Sequence, residues 1–234
     1  MSIASDHNFE MLSAVAEGLG DELLREVAFV GGSTTWLLCT DDIVLDDIRS
    51  TDDVDLVIEL GGIADWQRLT ERLAAKGFKI TAEHSDVTCR FKFNDVIVDV
   101  MPSVKEILGY ENRWFVDGLA NADTTTLPSG IAIKIFKPTY FVATKLEAFK
   151  GRGNGYAYHK DVEDIVLVVD GRESLLEEVS EADQELRAYI AAGIAGLLAL
   201  NSFEHVIESS HSVSANPGRG KVIYQRLKQL SNVK

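Results

Sequence analysis

Two aspartates one residue apart, Asp53 and Asp55, are the part of this sequence best suited to chemistry. They open a short run rich in β-branched residues that is typical of a strand, and strand alternation points both carboxylates to the same face. Two like charges held together favour a bound cation. Asp99 lies between Val98 and Val100 in another strand-like run, where a carboxylate is costly to bury unless it binds something. We expect these three aspartates to be both catalytic residues and metal ligands.

Three carboxylates of this kind suit Mg²⁺ or Mn²⁺, which prefer oxygen ligands and leave coordination positions for phosphates and water. Two such ions, roughly 3.5–4 Å apart, stabilise the attacking and the leaving oxygen of a phosphoryl transfer.

A structural alternative is open, because an aspartate at a strand start is often a turn residue and Asp99 could be exposed on a hairpin edge. The neighbouring acidic residues are expected to be solvated loop charge: Asp41, Asp42, Asp46, Asp47 and Asp52.

A candidate phosphate-binding turn precedes the aspartates. Gly31, Gly32 and Ser33 follow the apolar run 27–30 and come before residues that can cap a helix, so they predict strand, tight turn and helix. Glycines let the backbone approach a triphosphate closely, and such a turn adds free N–H groups and a hydroxyl. Two-glycine turns are common, so the signal gains its weight from the aspartates downstream. We expect Gly31, Gly32 and Ser33 to bind a triphosphate.

The elements that must position these residues follow from hydrophobic periodicity. Extended patterns predict strands at 27–30, 54–58, 78–82, 87–93, 96–101, 122–127 and 131–136, with a hairpin turn at 94–95 that places Asp99 in a strand. Helical patterns cover 9–27 (which Gly18 and Gly20 could break), 61–76, 138–149, 160–169, 175–200 and about the last fifteen residues, with a glycine-rich break at 151–155 and a loop at 209–220. The fold class is therefore α/β (α+β): a mixed-sheet domain, 1–136, followed by a helical C-terminal domain, 137–234.

Composition excludes several classes of protein. A formal charge of -14 and an isoelectric point near 4.7 argue against a general basic surface for long nucleic acid. The polar N-terminus lacks the features of a signal peptide, so we expect a cytoplasmic protein. The most apolar stretch, 188–200, is shorter than the roughly 20 residues of a membrane crossing and predicts a buried helix. Cys39 and Cys89 form no CxxC motif and predict packed thiols.

Taken together, these motifs resemble the DNA polymerase β-like nucleotidyltransferase superfamily, which is marked by Gly-Gly or Gly-Ser, then Asp-x-Asp, then a third carboxylate on a later strand. Residues 49–55, Arg-Ser-Thr-Asp-Asp-Val-Asp, are similar to the Arg-x-Thr-x-Asp-x-Asp segment of the AbiEii-like toxin branch. Residues 144–148, Arg152 and 160–164 resemble that branch's Lys-Leu-x-Ala, Arg and Lys/Arg-Asp-x-x-Asp pattern. The resemblance covers about residues 28–170, and the acidic insertion 41–47 departs from it.

Two basic residues in the segment from Thr144 to Arg152 have a spacing that suits binding of phosphates. Lys145 and Arg152 are seven residues apart, a spacing that places two cations on one helical stripe, and such cations neutralise charge that develops during nucleotidyl transfer. The resemblance implies that Lys145 and Arg152 bind nucleotide, that Lys145 and Asp161 are catalytic, and that the helical domain contributes them to the site. Asp164 is expected to assist or to be structural. His159 is expected to pack or cap a helix rather than to act as a general base.

The resemblance also implies a reaction. An acceptor hydroxyl would attack the α-phosphorus of an NTP, pyrophosphate would leave, and Mg²⁺ or Mn²⁺ would be the cofactor. For the toxin branch, the acceptor is expected to be the 3′ end of a tRNA, and a cognate antitoxin would be a partner. Two alternatives remain open: nucleotidyl (AMP) transfer to a small molecule or protein, and a non-catalytic nucleotide-binding module that keeps the fold.

Overall fold

The computed structural model describes residues 3–81, 89–103, 105–109, 112–152 and 156–234. The chain divides into two compact units. The first, here called the sheet unit, consists of Ile3–Thr34 and Ser50–Phe136, and the second, the helical unit, contains Thr35–Arg49 and Lys137–Lys234. The end of the predicted strand 78–82, the start of the predicted strand 87–93 and most of the glycine-rich break, 153–155, lie outside the described residues.

A mixed sheet forms the centre of the sheet unit. Among the described residues it has seven strands in the order β3-β4-β5-β2-β1-β7-β6, where the numbers follow the chain. The pairs β2–β5 and β1–β7 are parallel, and the other neighbouring strands are antiparallel. The predicted mixed-sheet α/β fold class is thus confirmed. The strands are β1 (Val27–Val30), β2 (Asp53–Ile58), β3 (Lys79–Ile80), β4 (Arg90–Phe93), β5 (Val96–Pro102), β6 (Asp123–Thr126) and β7 (Ala132–Ile135).

Helices make up most of the remaining regular structure. The predicted helix 61–76 is confirmed, and Gly77 follows it in the left-handed conformation, with a φ of 93°, that suits a helix C-terminus. The bounds are α1 (Ile3–Leu24), α2 (Thr35–Leu38), α3 (Ile63–Ala75), α4 (Lys105–Leu108), α5 (Phe115–Ala120), α6 (Pro138–Arg152), α7 (Lys160–Gly171), α8 (Leu175–Glu181), α9 (Gln184–Leu198), α10 (Phe203–Glu208), α11 (His211–Ala215) and α12 (Arg219–Leu230).

The core of the sheet unit lies between α1 and the sheet. Leu12, Leu19 and Leu23 of α1 are fully buried, and α1 contacts β1, β2, β5 and β7. Gly20 interrupts this helix with a φ of 65°, which bears out one of the two predicted break points. Gly18 stays helical and lies against the ring of Phe93, where a Cβ atom would come within 2.5 Å of the ring.

The helical unit is built around α6, α7, α9 and α12. α6 contacts α7 and α9, and α12 contacts α7 and α9. The predicted helix 175–200 is in fact two helices, because the backbone of Ala182 and Asp183 is not helical between α8 and α9. The predicted loop 209–220 was wrong in part, since α11 and the start of α12 lie within it. No helix in the described ranges is both long enough and apolar enough to span a bilayer.

The acidic insertion belongs to the helical unit and is ordered by specific contacts. Residues Asp42–Asp47 form a 3-10 helix, and the Asp41 carboxylate accepts a hydrogen bond from the backbone N–H of Ile43. Asp41 also accepts one from Arg219 at 2.8 Å, while Asp47 accepts from the backbone N–H of Ser212 at 3.0 Å. The prediction that Asp41 and Asp47 are only solvated charge was therefore wrong.

Candidate metal and nucleotide site

The three predicted carboxylates lie together on neighbouring parallel strands of the sheet unit. Val54 and Leu56 of β2 are fully buried, so the alternating Asp53 and Asp55 share the other face. The parallel register places Asp55 directly opposite Asp99 of β5. One carboxylate oxygen from each aspartate lies within 4.8 Å of the others. The sequence motif thus corresponds to one compact group of oxygen ligands.

Arg90 of β4 contacts this group, and sequence analysis did not identify it. Its Nε donates to Asp99 Oδ1 at 2.7 Å and its Nη2 donates to Asp99 Oδ2 at 2.6 Å, while Nη2 lies 3.9 Å from Asp53 Oδ2. The hydrogen bonds to Asp99 and the charges of both carboxylates raise the pKa of Arg90 against the opposing effect of burial. A signal was available: a two-residue hairpin turn at 94–95 makes 90 the partner of 99, and that pairing is observed.

Gly31 is required beside Asp55. Its φ is 78°, in the left-handed region, and a Cβ atom built on it would lie 1.9 Å from Asp55 Oδ2. β1 brings the two together, because Val30 pairs with Asp55 across the antiparallel β1–β2 ladder. Only glycine gives both the backbone conformation and the space for the carboxylate. The two-glycine turn is therefore part of the same site as the aspartates.

Ser33 contributes a buried hydroxyl next to this turn. Gly32 begins a short 3-10 helix, Gly32–Thr34, and the helix predicted after the turn is observed as the four-residue α2. The Ser33 side chain is buried, and its Oγ has no hydrogen-bond partner in the part of the chain that the structure describes. A buried hydroxyl of this kind has hydrogen-bonding capacity left for a ligand.

Thr51 holds the start of β2 in place. Its backbone N–H donates to Asn8 Oδ1 of α1 at 3.1 Å, and its hydroxyl donates to the backbone oxygen of Asp53 at 3.2 Å. Both Thr51 and Asn8 are buried. This small network fixes the backbone from which the first aspartate projects.

The predicted residues of the helical unit form a second cluster of charges. Lys145 is buried, and its Nζ lies 2.6 Å from Asp164 Oδ2 and 3.4 Å from Asp161 Oδ1. Arg152 forms two hydrogen bonds to Asp161, at 2.9 and 3.0 Å, and Arg49 donates to both oxygens of Asp164 at 3.1 Å. The Lys-Leu-x-Ala, Arg and Lys-Asp-x-x-Asp segments therefore meet within this unit.

Asp161 is ionised in this cluster although it is fully buried. Burial raises its pKa, but the hydrogen bond from Arg152 and the charges of Lys145 and Arg152 together hold the pKa below its ordinary value of 3.8. The Nδ1 atom of His159 accepts a hydrogen bond from the backbone N–H of Asp161 at 3.2 Å and caps α7. The expectation that His159 caps a helix is thus confirmed.

Both cysteines are free thiols, in agreement with the sequence prediction. Burial raises the pKa of Cys39 and of Cys89 to about 12. The charge of Asp99 adds to this effect at Cys89. Neither thiol is therefore ionised at neutral pH.

The donor set of the sheet unit fits a divalent cation of the Mg²⁺ or Mn²⁺ type. Three carboxylates are hard oxygen ligands, and the geometry allows one oxygen of each to approach a common point. Gly31 leaves the backbone close to Asp55 without a side chain in the way. These residues could hold a metal and the phosphates that bind to it, so the carboxylates and the glycine turn form one candidate metal and nucleotide site.

Comparisons with known proteins agree with this fold. No family model and no curated protein matches the chain. Among solved structures, it is similar to an antigenic nucleotidyltransferase-like protein from Paracoccidioides brasiliensis, with 21% identity, a TM-score of 0.56, and coverage of 97% of this chain and 94% of that one. It also matches a candidate nucleotidyltransferase from H. pylori at 12% identity, a TM-score of 0.48, and coverage of 99% and 94%. The second likeness is too weak to support an inference, and the first shows a nucleotidyltransferase-like fold.

Proposed function

We propose that this protein is a metal-dependent nucleotidyltransferase that moves NMP from an NTP to an acceptor hydroxyl. The observation that carries the proposal is the meeting of Asp53, Asp55 and Asp99 on two adjacent strands, with Gly31 directly against Asp55. The nucleotidyltransferase-like fold supports the same reaction class. A fold alone does not define an activity, so the arrangement of the site carries more weight.

The reaction would proceed by attack of the acceptor oxygen on the α-phosphorus. A bond forms between that oxygen and the α-phosphorus, the bond from the α-phosphorus to the bridging oxygen breaks, and pyrophosphate leaves. Asp53, Asp55 and Asp99 would hold Mg²⁺ or Mn²⁺, which when bound supplies positive charge to the attacking and leaving oxygens. Asp99 is the proposed acceptor of the hydroxyl proton.

The remaining predicted residues have proposed roles in binding and positioning. Gly31, Gly32 and Ser33 would hold the triphosphate, with support from the tight turn and the unpartnered Ser33 hydroxyl within the described ranges. For Lys145, Arg152 and Asp161, the nucleotide-binding and catalytic roles rest on the resemblance to the toxin branch. Their mutual hydrogen bonds support a narrower role, which is to hold one another in fixed orientations.

The acceptor is the finer part of the proposal. The resemblance to AbiEii-like toxins favours the 3′ end of a tRNA and a cognate antitoxin, whereas the net charge of -14 favours a short local contact over a long basic groove. Transfer to a small molecule or a protein would use the same centre. A non-catalytic module would have little need for three convergent carboxylates.

An unbiased labelling experiment tests these possibilities together. The protein is incubated with Mg²⁺ and each of the four α-³²P-labelled NTPs in the presence of total RNA, lysate proteins or small-molecule extract. The wild type is compared with Asp53→Ala/Asp55→Ala and with Asp52→Ala, an exposed neighbour outside the site. Label that moves to one class of acceptor with the wild type and with Asp52→Ala supports the proposal and names the acceptor. Nucleotide binding without any transfer would favour the non-catalytic module.

A further inference from the structure

Arg90 occupies the same carboxylate oxygens that a metal ion would use. Both oxygens of Asp99 accept hydrogen bonds from its guanidinium, at 2.7 and 2.6 Å, in the two-pronged geometry that makes Arg–carboxylate pairs strong. The same Nη2 atom lies 3.9 Å from an oxygen of Asp53. A single cationic group thus contacts two of the three proposed metal ligands.

The local charge explains why such a group is needed. Three ionised carboxylates whose oxygens lie within 4.8 Å repel one another, and burial strengthens that repulsion. The side chain of Asp99 is only 13% exposed, so water screens it incompletely. Arg90 removes one unit of this negative charge when no metal is bound.

We propose that Arg90 is an internal counter-ion of the metal centre, which holds Asp99 in the metal-free protein and releases it when a divalent cation binds. This inference rests on the proposed function, because it takes Asp53, Asp55 and Asp99 to be metal ligands. The Arg90 side chain is 23% exposed and lies on the short strand β4, so it has solvent on one side into which it can turn. Release also frees an oxygen of Asp99 to accept the proton of the acceptor hydroxyl.

The consequence is a competition that can be measured without any enzymatic reaction. A divalent ion that enters the site must displace Arg90 from Asp99 or lie close to its positive charge. Even in bulk water, a unit charge 4 Å from a divalent ion weakens its binding by roughly tenfold or more. Removal of the Arg90 charge should therefore strengthen metal binding, whereas removal of an ordinary metal-positioning residue would weaken it.

Lys92 provides a matched control on the same strand. It lies two residues from Arg90, which places it on the same face of β4, and it carries the same charge. Its ammonium lies 3.6 Å from Asp95. Lys92→Gln therefore reports the effect of losing one positive charge from this face of the strand without loss of the Arg90–Asp99 contact.

The test is Mn²⁺ binding by isothermal titration calorimetry and by electron paramagnetic resonance at fixed ionic strength. We expect Arg90→Gln to lower the Kd for Mn²⁺ about tenfold, Lys92→Gln to change it less than twofold, and Arg90→Lys to give an intermediate value because lysine lacks the planar fork. Thermal melts should show that Arg90→Gln lowers the Tm without metal and gains more from Mn²⁺ than the wild type does. If Arg90→Gln does not fold, Arg90→Lys carries the same test with a smaller expected change.

The outcomes separate this inference from the proposed function. Wild-type binding of Mn²⁺ that Arg90→Gln leaves unchanged or weakens would overturn the counter-ion role and leave the metal centre intact. Absence of Mn²⁺ binding to the wild type and to Arg90→Gln alike would overturn both. Tighter binding by Arg90→Gln than by Lys92→Gln supports the inference.

Discussion

Replacement of Gly31 by alanine tests how closely the turn and the aspartates depend on one another. The residue has a φ of 78°, and left-handed backbone costs an alanine about 1–2 kcal/mol, partly offset by the lower entropy of the unfolded chain. The new methyl group would lie 1.9 Å from Asp55 Oδ2, so the carboxylate must move by about 1 Å. Forced repacking of this kind costs about 1–3 kcal/mol. We expect Gly31→Ala to lose about 2–4 kcal/mol of stability.

Gly130 is a natural control for the backbone contribution. Its φ is 87°, also in the left-handed region, but no atom of the described residues lies within 4 Å of the position of an added Cβ. Gly130→Ala should therefore cost only about 1 kcal/mol. The difference between the two variants isolates the contact with Asp55.

Urea unfolding of both variants, followed by circular dichroism and fluorescence, measures the difference. A double-mutant cycle adds the decisive comparison, because Asp55→Ala removes the carboxylate that the methyl group meets. In the Asp55→Ala background, the cost of Gly31→Ala should fall toward that of Gly130→Ala, because only the Cβ atom of residue 55, at 3.0 Å, remains in contact with the added methyl group. Equal costs for Gly31→Ala and Gly130→Ala in the wild-type chain, or a cost that Asp55→Ala does not reduce, would refute the reasoning.

Two further predictions concern the charge cluster of the helical unit. Lys145→Met should lower the free energy of unfolding by about 3 kcal/mol, because it leaves buried Asp161 and Asp164 short of a counter-charge. Urea unfolding measures this loss, and a loss smaller than that caused by the same change at an exposed lysine of α6 would contradict the prediction. The pKa of Asp161 is lower in the folded protein than in the unfolded chain, where it is about 4. Its ionised form therefore stabilises the fold above pH about 4, and this stabilisation is lost as the pH falls through the folded-state pKa. The free energy of unfolding of Asp161→Asn should therefore decrease less steeply below about pH 4 than that of the wild type, as measured by urea midpoints at a series of pH values.

The parts of the site that rest on local patterns could be predicted from the sequence. Alternation in β2 placed Asp53 and Asp55 on one face, and the hairpin signal placed Asp99 in a strand. These predictions depend on the period of a strand and on short-range turn chemistry, which the sequence displays directly. The roles assigned to these residues stay predictions until activity or metal binding is measured.

Contacts between distant parts of the sequence could not be predicted in the same way. Asp41 and Arg219 are 178 residues apart, and nothing in either local pattern shows that they form an ion pair. Arg90 is a different case, because the predicted hairpin register already implied its pairing with Asp99. The register alone does not assign it a function, because an arginine in a short strand is commonly exposed to solvent.

The most direct test of the central claim compares the transfer of α-³²P and γ-³²P label from the same NTP to the acceptor found in the labelling experiment. Nucleotidyl transfer at a centre formed by Asp53, Asp55 and Asp99 predicts that only the α label moves, that pyrophosphate appears in equal amount, and that Asp55→Ala abolishes both while Asp52→Ala does not. Movement of the γ label, or transfer that persists in Asp55→Ala, would contradict the account.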